Sequence, residues 1–333
     1  MKLSHSRNRH DGIRAAGGVL AAAVLVATSI VAPACAAALA YVGNQGDGTV
    51  SLIDTTTDEV IRTLPAHGKI GEKIQAVLTN RAQTRSFVVD AAGNSLVVVD
   101  DKSGRITARL HVGKAPEGAS LSPSGRTIAV CVEDDNLVAL VDVAMAKVVR
   151  KIPTQGKNPE HCVFSGDEHW LMTSDENSNN VDLIDLNAGR SVALVPTTGK
   201  PRGIAWLANK PIAYVAQENG GGVDVVDAER RAMIQSIKTG LRPADAIATA
   251  DGTRVFISNG GDGTVSVIDT ATQKVIATIP VGKRPWNMAL TADGKKLYVA
   301  NGRSHSVSVI DLGSLAVIKE VNVGDLPWGV SIP

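Results

Sequence analysis

Aromatic residues are scarce in this chain: Phe, Trp and Tyr together fill 3% of its 333 positions. Any core must therefore be built from Val, Ile, Leu and Ala, within the 44% of positions that are apolar. Only three cysteines are present. So few exclude a disulfide scaffold, and without C-x-x-C-H no c-type haem is attached. An excess of one charge is also missing, with 34 basic residues against 33 acidic ones. A near-neutral surface does not draw in polyanions from a distance, which argues against a dedicated nucleic-acid binder. G-x-S-x-G, Walker A and H-E-x-x-H motifs are absent. The glycine runs at 46–48, 220–222 and 260–263 are followed by no helix pattern, so they are hairpins and not phosphate loops. Beyond residue 38 no segment holds a helical period.

The first 38 residues differ from the rest. Lys2, Arg7, Arg9 and Arg14 precede an apolar run over 15–31, and Ala32-Pro33-Ala34-Cys35-Ala36-Ala37-Ala38 follows. A basic head, an apolar middle and an A-x-A exit are the layout of a secretory signal peptide. The run is short for a membrane span, which needs about 20 apolar residues. Cleavage is expected after Ala36 or Ala38, giving a periplasmic or secreted protein with no transmembrane span in the mature chain. Acylation of Cys35 is the less favoured alternative, since Ala32-Pro33-Ala34-Cys35 is a poor lipobox. Cleavage leaves 30 basic against 32 acidic residues. Cys131 and Cys162 then remain, as a pair open to oxidation or as two buried small apolar residues; the second reading is preferred.

Much of the rest is one unit repeated. Residues 259–285, NGGDGTVSVIDTATQKVIATIPVGKRP, show its parts: a polar loop, a strand ending in Asp, a turn, a second strand and a Gly/Pro loop. The strand-ending aspartates are Asp54, Asp100, Asp142, Asp185, Asp227, Asp269 and Asp311, spaced by 46, 42, 43, 42, 42 and 42 residues. A period near 42 with four strands per unit is the signature of a β-propeller. The first unit begins with its second strand at 39–44, and an unpaired innermost strand is left at 327–332. Pairing them completes a seventh blade and removes the free edges. The expected fold is all-β, a seven-bladed propeller of four-stranded antiparallel blades over 39–333, closed by strands from both termini and monomeric.

The repeats resemble the YVTN-repeat β-propellers, also called YncE-like. Tyr41-Val42-Gly43-Asn44, Leu297-Tyr298-Val299-Ala300-Asn301, Ile279-Pro280-Val281-Gly282 and Ala292-Asp293-Gly294 carry the likeness. The last blades are most similar to the subgroup found with PQQ-dependent alcohol oxidation, which implies an accessory role there. Relatives have also been associated with DNA binding. Blade 2 departs from the pattern: its preceding loop is longer, and Lys73 stands where Pro is expected.

The seven aspartates recur at the start of the same turn, where a short carboxylate accepts backbone N–H bonds, so they read as structural. The residues ten before them are Asn44, Asp90, Val132, Asp175, Gln217, Asn259 and Asn301, and read as strand caps around the tunnel. Glu117, Glu160, His161, Arg202, Asp245, Trp286 and Trp328 follow the proline that opens each innermost strand. They vary where the repeat does not require it, which places a ligand site at the tunnel mouth on the top face. Here the top is the face bearing the inter-blade loops. Trp286 and Trp328 would either stack a flat ligand or seal the mouth. His161 has no second histidine at ligand spacing, so neither metal nor cofactor is expected, and no catalytic constellation is visible. The sequence therefore favours a non-catalytic binding or scaffold propeller for a protein or small molecule. An oxidoreductase or lyase with a top-face pocket is the first alternative, and binding of single-stranded DNA the second.

Overall fold

The structure, a computed structural model, describes residues 38–333. The expected leader, its expected cleavage site and Cys35 lie outside the described residues. The described chain forms seven four-stranded antiparallel sheets and no helix. Six blades are each continuous in sequence. We number them so that blade 2 begins at Ile74 and blades 3 to 7 begin at Pro116, Pro159, Pro201, Pro243 and Pro285. Blade 1 joins the two ends: Pro327–Ser331 pairs antiparallel with Leu39–Asn44, with Val42 opposite Val330 and Gly43 opposite Gly329. The closure continues above the sheet, where Gln45 N–H donates to Leu326 O at 2.9 Å and Gly46 N–H to Asp325 O at 3.0 Å.

The four strands of a blade meet different surroundings. In Thr264–Asp269, Val265 to Ile268 are all buried, because adjacent blades cover both faces of the sheet. The outermost Lys274–Pro280 instead alternates with solvent and buries only Ile279 fully. Aliphatic clusters fill the space between blades, and the three tyrosines act as bolts across it. Tyr41 donates to Asp101 of blade 2 at 3.1 Å, and Tyr214 accepts from Gln273 of blade 6 at 2.6 Å. Tyr298 of blade 7 donates to Asp58 of blade 1, which also receives Lys296 Nζ at 2.7 Å. This last pair fastens blade 7 to blade 1.

All seven strand-ending aspartates are turn formers. Each accepts a backbone N–H two or three residues on, at 2.7 to 2.9 Å, from Thr56, Ser103, Met145, Ala188, Arg230, Thr272 and Ser314. The polar residues ten before them are buried caps. Asn259 donates to Thr264 and Ser266, and Asn301 to Ser306 and Ser308. The inter-blade loops press glycines onto these caps: a Cβ on Gly282 would stand 2.5 Å from Asn301 Cγ, and one on Gly240 2.6 Å from Asn259 Cγ. Cys131 and Cys162 are buried, free thiols in one apolar cluster.

Blade 2 needs one correction. Ile74 pairs with Asp90 as Pro116 pairs with Val132, so Ile74 and not Lys73 stands in the proline position. The longer loop before it hid the register.

Candidate functional site

Every innermost strand carries one extra residue immediately after its first. Pro159 pairs with Asp175 and His161 with Ser174, leaving Glu160 unmatched. The same break follows Ile74, Pro116, Pro201, Pro243, Pro285 and Pro327. A bulge bends its strand and re-aims the side chain it carries. The bulged positions of blades 1 to 7 are Trp328, Gln75, Glu117, Glu160, Arg202, Ala244 and Trp286, and they form the upper layer around the axis. The next residues are Gly329, Ala76, Gly118, His161, Gly203, Asp245 and Asn287, and form a second layer. Small residues there make room for large ones. A Cβ on Gly203 would fall 2.3 Å from Asp245 Oδ1, and one on Gly118 2.2 Å from Glu160 O. The seven residues singled out in the sequence thus occupy two levels, with His161 and Asp245 below the other five. Both donate their backbone N–H to a serine of the second strand, Ser174 at 3.1 Å and Ser258 at 2.9 Å.

Charge organises the upper layer. Arg202 lies 2.5 Å from Glu160 Oε1, 3.3 Å from Glu176 Oε1 and 3.5 Å from Glu218 Oε2. Glu218 also receives Lys200 at 3.1 Å, Arg284 at 3.1 Å and Arg242. Burial alone would raise the Glu218 carboxyl, but Arg202, Arg242, Lys200 and Arg284 together hold it at about 2. In the two blades before it the balance reverses. Burial pushes Glu160 well above the carboxylate range against the pull of Arg202, and Glu117 and Glu176 add to the rise. Burial and then Glu117 lift Glu133 to about 8. Glu117 has burial against it, yet Arg202 and the groups of Gln75, Glu133 and Glu160 keep it ionised below its ordinary value. Glu160 is fully buried, and its Oε2 has no hydrogen-bond partner among the described residues.

The mouth is therefore divided. Blades 3 and 4 supply Glu117, Glu133, Glu160 and Glu176, whereas blades 5 to 7 supply Glu218 and the cations Lys200, Arg202, Arg242 and Arg284; Arg202 and Lys200 join the two sides, Lys200 standing 2.6 Å from Glu176. Lys283 and Arg303 extend the basic side outward as exposed residues. The sequence reading found Glu117, Glu160 and Arg202 but missed Glu133, Glu176 and Glu218, each one residue beyond a strand cap in successive blades. It also missed Lys200, Arg242 and Arg284, each just before the proline of blades 5, 6 and 7. These three adopt φ of 52°, 53° and 56°, as Ala115 and Leu326 do at the same place, so the left-handed backbone belongs to the repeat and only the charge is particular.

The two tryptophans are not equivalent. Trp328 is 3% exposed and lies nearly parallel to His161, with centroids 5.9 Å apart and planes at 15°. It seals the mouth and has little face left for a ligand. Trp286 is partly exposed, packs on Gly302 and sits under the Arg284 guanidinium at 5.9 Å.

Beneath this plug runs a channel of 470 Å³. His161, Asp245 and Asn287 line its upper end, and Ala250, Ala292 and Ile332 its lower end at the bottom hairpins. His161 and a carboxylate thus share one cavity, but below the mouth and not above it. Burial, assisted by the Arg202 charge, holds His161 down at about 4, while burial raises Asp245 to about 7 against hydrogen bonds from Met288 and Ala246. Among the described residues no His, Cys, Asp and Glu group has the geometry to hold a metal ion, and no helix is long and apolar enough to cross a membrane.

Solved structures share this architecture. Hydrazine synthase from Kuenenia stuttgartiensis superposes with a TM-score of 0.73 at 21% identity, over 81% of this chain and 91% of that one. A functionally unknown protein from Desulfotomaculum acetoxidans DSM 771 gives 0.76 at 14% identity, over 89% and 98%. Dihydro-heme d1 dehydrogenase NirN in complex with DHE gives 0.64 at 17%, over 88% and 74%. At such identities the likeness is one of fold. No match was found among curated proteins. A family model of YNCE-like beta-propellers matches residues 71–262 and 248–332, so that most of the blades counted above are recognised by it, and the chain belongs to the YNCE-like beta-propeller family.

Proposed function

We propose that the protein is an exported, periplasmic binding propeller without catalytic turnover, whose top face holds a protein partner by charge. The observation behind this reading is the divided mouth. Burial keeps Glu133 and Glu160 largely neutral, and Glu176 is paired with Lys200 and Arg202, so the charge offered outward is basic: the half-exposed Arg242, with Lys283 and Arg303 outside it. The centre is filled by the Arg202–Glu160 pair and Trp328, so the surface on offer is a broad rim and not a deep top-face pocket. Complementary charge steers and orients a partner more than it sets affinity. The likeness of the last blades to propellers found with PQQ-dependent alcohol oxidation makes a component of such a system the first partner to try.

The test is a pull-down from periplasmic extract with wild type and with Lys283→Glu/Arg303→Glu, two exposed changes that leave the plug intact. The wild type should retain partners that leave as salt is raised, and the variant should lose them. Retention of every partner by the variant would refute the top-face reading. Stacking of single-stranded DNA is disfavoured because Trp328 is enclosed.

One observation favours the catalytic reading instead. His161 and Asp245 line one channel, and a carboxyl near 7 is suited to proton transfer at neutral pH. Against it, Asp245 Oδ2 is already engaged by Met288 N–H at 2.9 Å. Turnover abolished by Asp245→Asn with the fold intact would decide for catalysis.

A further inference from the structure

The channel below the plug is a second feature, independent of the top face. It opens among the bottom hairpins, and its wall is apolar, with Leu78, Leu121, Val163, Ile204, Leu290 and Val330 around it. At the closed end stand His161, Asp245 and Asn287, with Ser120 facing it from the side, whereas the threonines at the open end, Thr249 and Thr291, already donate to Asp251 and Asp293 of their own hairpins. Two of the closed-end groups have unmet hydrogen-bonding capacity: Ser120 Oγ and His161 Nε2 are both buried without a hydrogen-bond partner, the second standing 3.9 Å from Glu160 Oε1, beyond hydrogen-bond reach. His161 itself is 8% exposed and held flat by Trp328. A buried polar group without a partner costs about 1–3 kcal/mol, so this end of the channel favours whatever brings it a hydrogen bond.

The lining contains no Lys, Arg or Glu. Its one acid, Asp245, spends an oxygen on the Met288 N–H. A charged ligand would lose its hydration there without gaining a counter-ion. The volume of 470 Å³ lies within the range of small-molecule sites and corresponds to about fifteen water-sized groups. A wall of aliphatic side chains with a few convergent polar groups at one end is the usual construction of such sites.

We propose that this channel is a binding site, entered from the bottom face, for an uncharged and largely apolar molecule bearing one hydroxyl or carbonyl group, whose polar head meets His161 and Ser120. The tail lies along the aliphatic wall towards Ala250 and Ala292. The site works whether or not the top face holds a partner, so the two readings fail separately.

The probe is 1-naphthol, titrated against the purified protein by calorimetry beside naphthalene, which lacks the head, and 1-naphthoate, which carries a charged one. Naphthol should bind at least tenfold more tightly than either. His161→Phe keeps a flat ring against Trp328 and should bring naphthol down to the level of naphthalene. Should that variant fold poorly, Ala250→Trp/Ala292→Trp serves, since both positions are exposed at the channel's lower end and the bulk should block all three ligands. The proposal is overturned if naphthol does not bind, if naphthalene or naphthoate matches it, or if the tryptophan variant binds naphthol unchanged. The first of these results would leave the channel holding only water.

Discussion

Glu218→Gln is the sharpest perturbation of the divided mouth. Glu218 is almost fully buried, and four cations converge on it. Its carboxyl stands at about 2 instead of the usual 4.5. At about 1.4 kcal/mol per pH unit, that difference is worth about 3 kcal/mol of folding stability at neutral pH. Breaking a buried ion pair on one side costs about 3–5 kcal/mol in other proteins, because the remaining charge is left uncompensated, and the two figures agree. The cations should not share the loss equally. Arg242 is 56% exposed and water screens it, whereas Arg202 and Arg284 are 13% and 14% exposed. Arg242→Gln should therefore cost less than about 1 kcal/mol. Arg284→Gln, in the variant that already lacks the carboxylate, should restore part of the stability by removing an unpaired cation. The assay is urea unfolding at pH 7 followed by circular dichroism. A carboxyl lowered in the folded state contributes fully above 4.5 and ceases to contribute as the pH falls towards 2. The gap between wild type and Glu218→Gln should thus be flat from pH 5 to 8 and close only in acid. A loss under about 1 kcal/mol at pH 7, or a gap that widens in acid, would refute the clasp.

Other groups set an opposite pH dependence. Asp245 at about 7, with Glu133 and Asp175 at about 8, are raised acids, so their contribution is complete below their ordinary values and lost as pH rises through 7 to 8. His161, lowered to about 4, loses its contribution as pH falls from 6.5, so above pH 6.5 it no longer opposes them. Scanning calorimetry should show Tm falling between pH 6.5 and 8.5, with a shallower fall in Asp245→Asn; a flat or rising Tm would contradict the burial of these carboxyls. Gly282→Ala drives a Cβ to 2.5 Å from Asn301 Cγ and should cost about 1–3 kcal/mol in urea unfolding, while Gly313→Ala, whose nearest neighbour is at 3.4 Å, should be close to neutral. Cys131 and Cys162, buried with the Cys131 thiol pushed up by burial, should react with a thiol reagent only after denaturant is added; rapid labelling of the native protein would place them wrongly.

Most of the architecture was legible because it is repeated. The Asp turn appears seven times in sequence and seven times in space, and one ordinary hydrogen bond explains each copy. Closure was readable because strands were missing at one end and left over at the other. The site was half legible. Variation at a repeated position pointed to Glu117, Glu160, Arg202, Trp286 and Trp328, but the bulge after the proline is invisible in a string of letters. Without it, His161 and Asp245 look like members of the same layer. Glu133, Glu176 and Glu218 were missed because they follow strand caps in loops, where neither period constrains a side chain. Only the fold reveals that these loops lean over the axis. The same loss of register made Lys73 look like the proline substitute in blade 2.

The seam between Leu39–Asn44 and Pro327–Ser331 has a consequence for how the molecule is made. Nearly the whole polypeptide separates these partners, so the contact is among the most distant the chain can make. Until the last residues emerge from the ribosome, or from a translocation channel, the first strand must wait with an exposed backbone edge. Such a wait makes assembly slow and invites pairing with strangers. A holding chaperone on the folding side should therefore matter more for this protein than for a helical bundle of equal length.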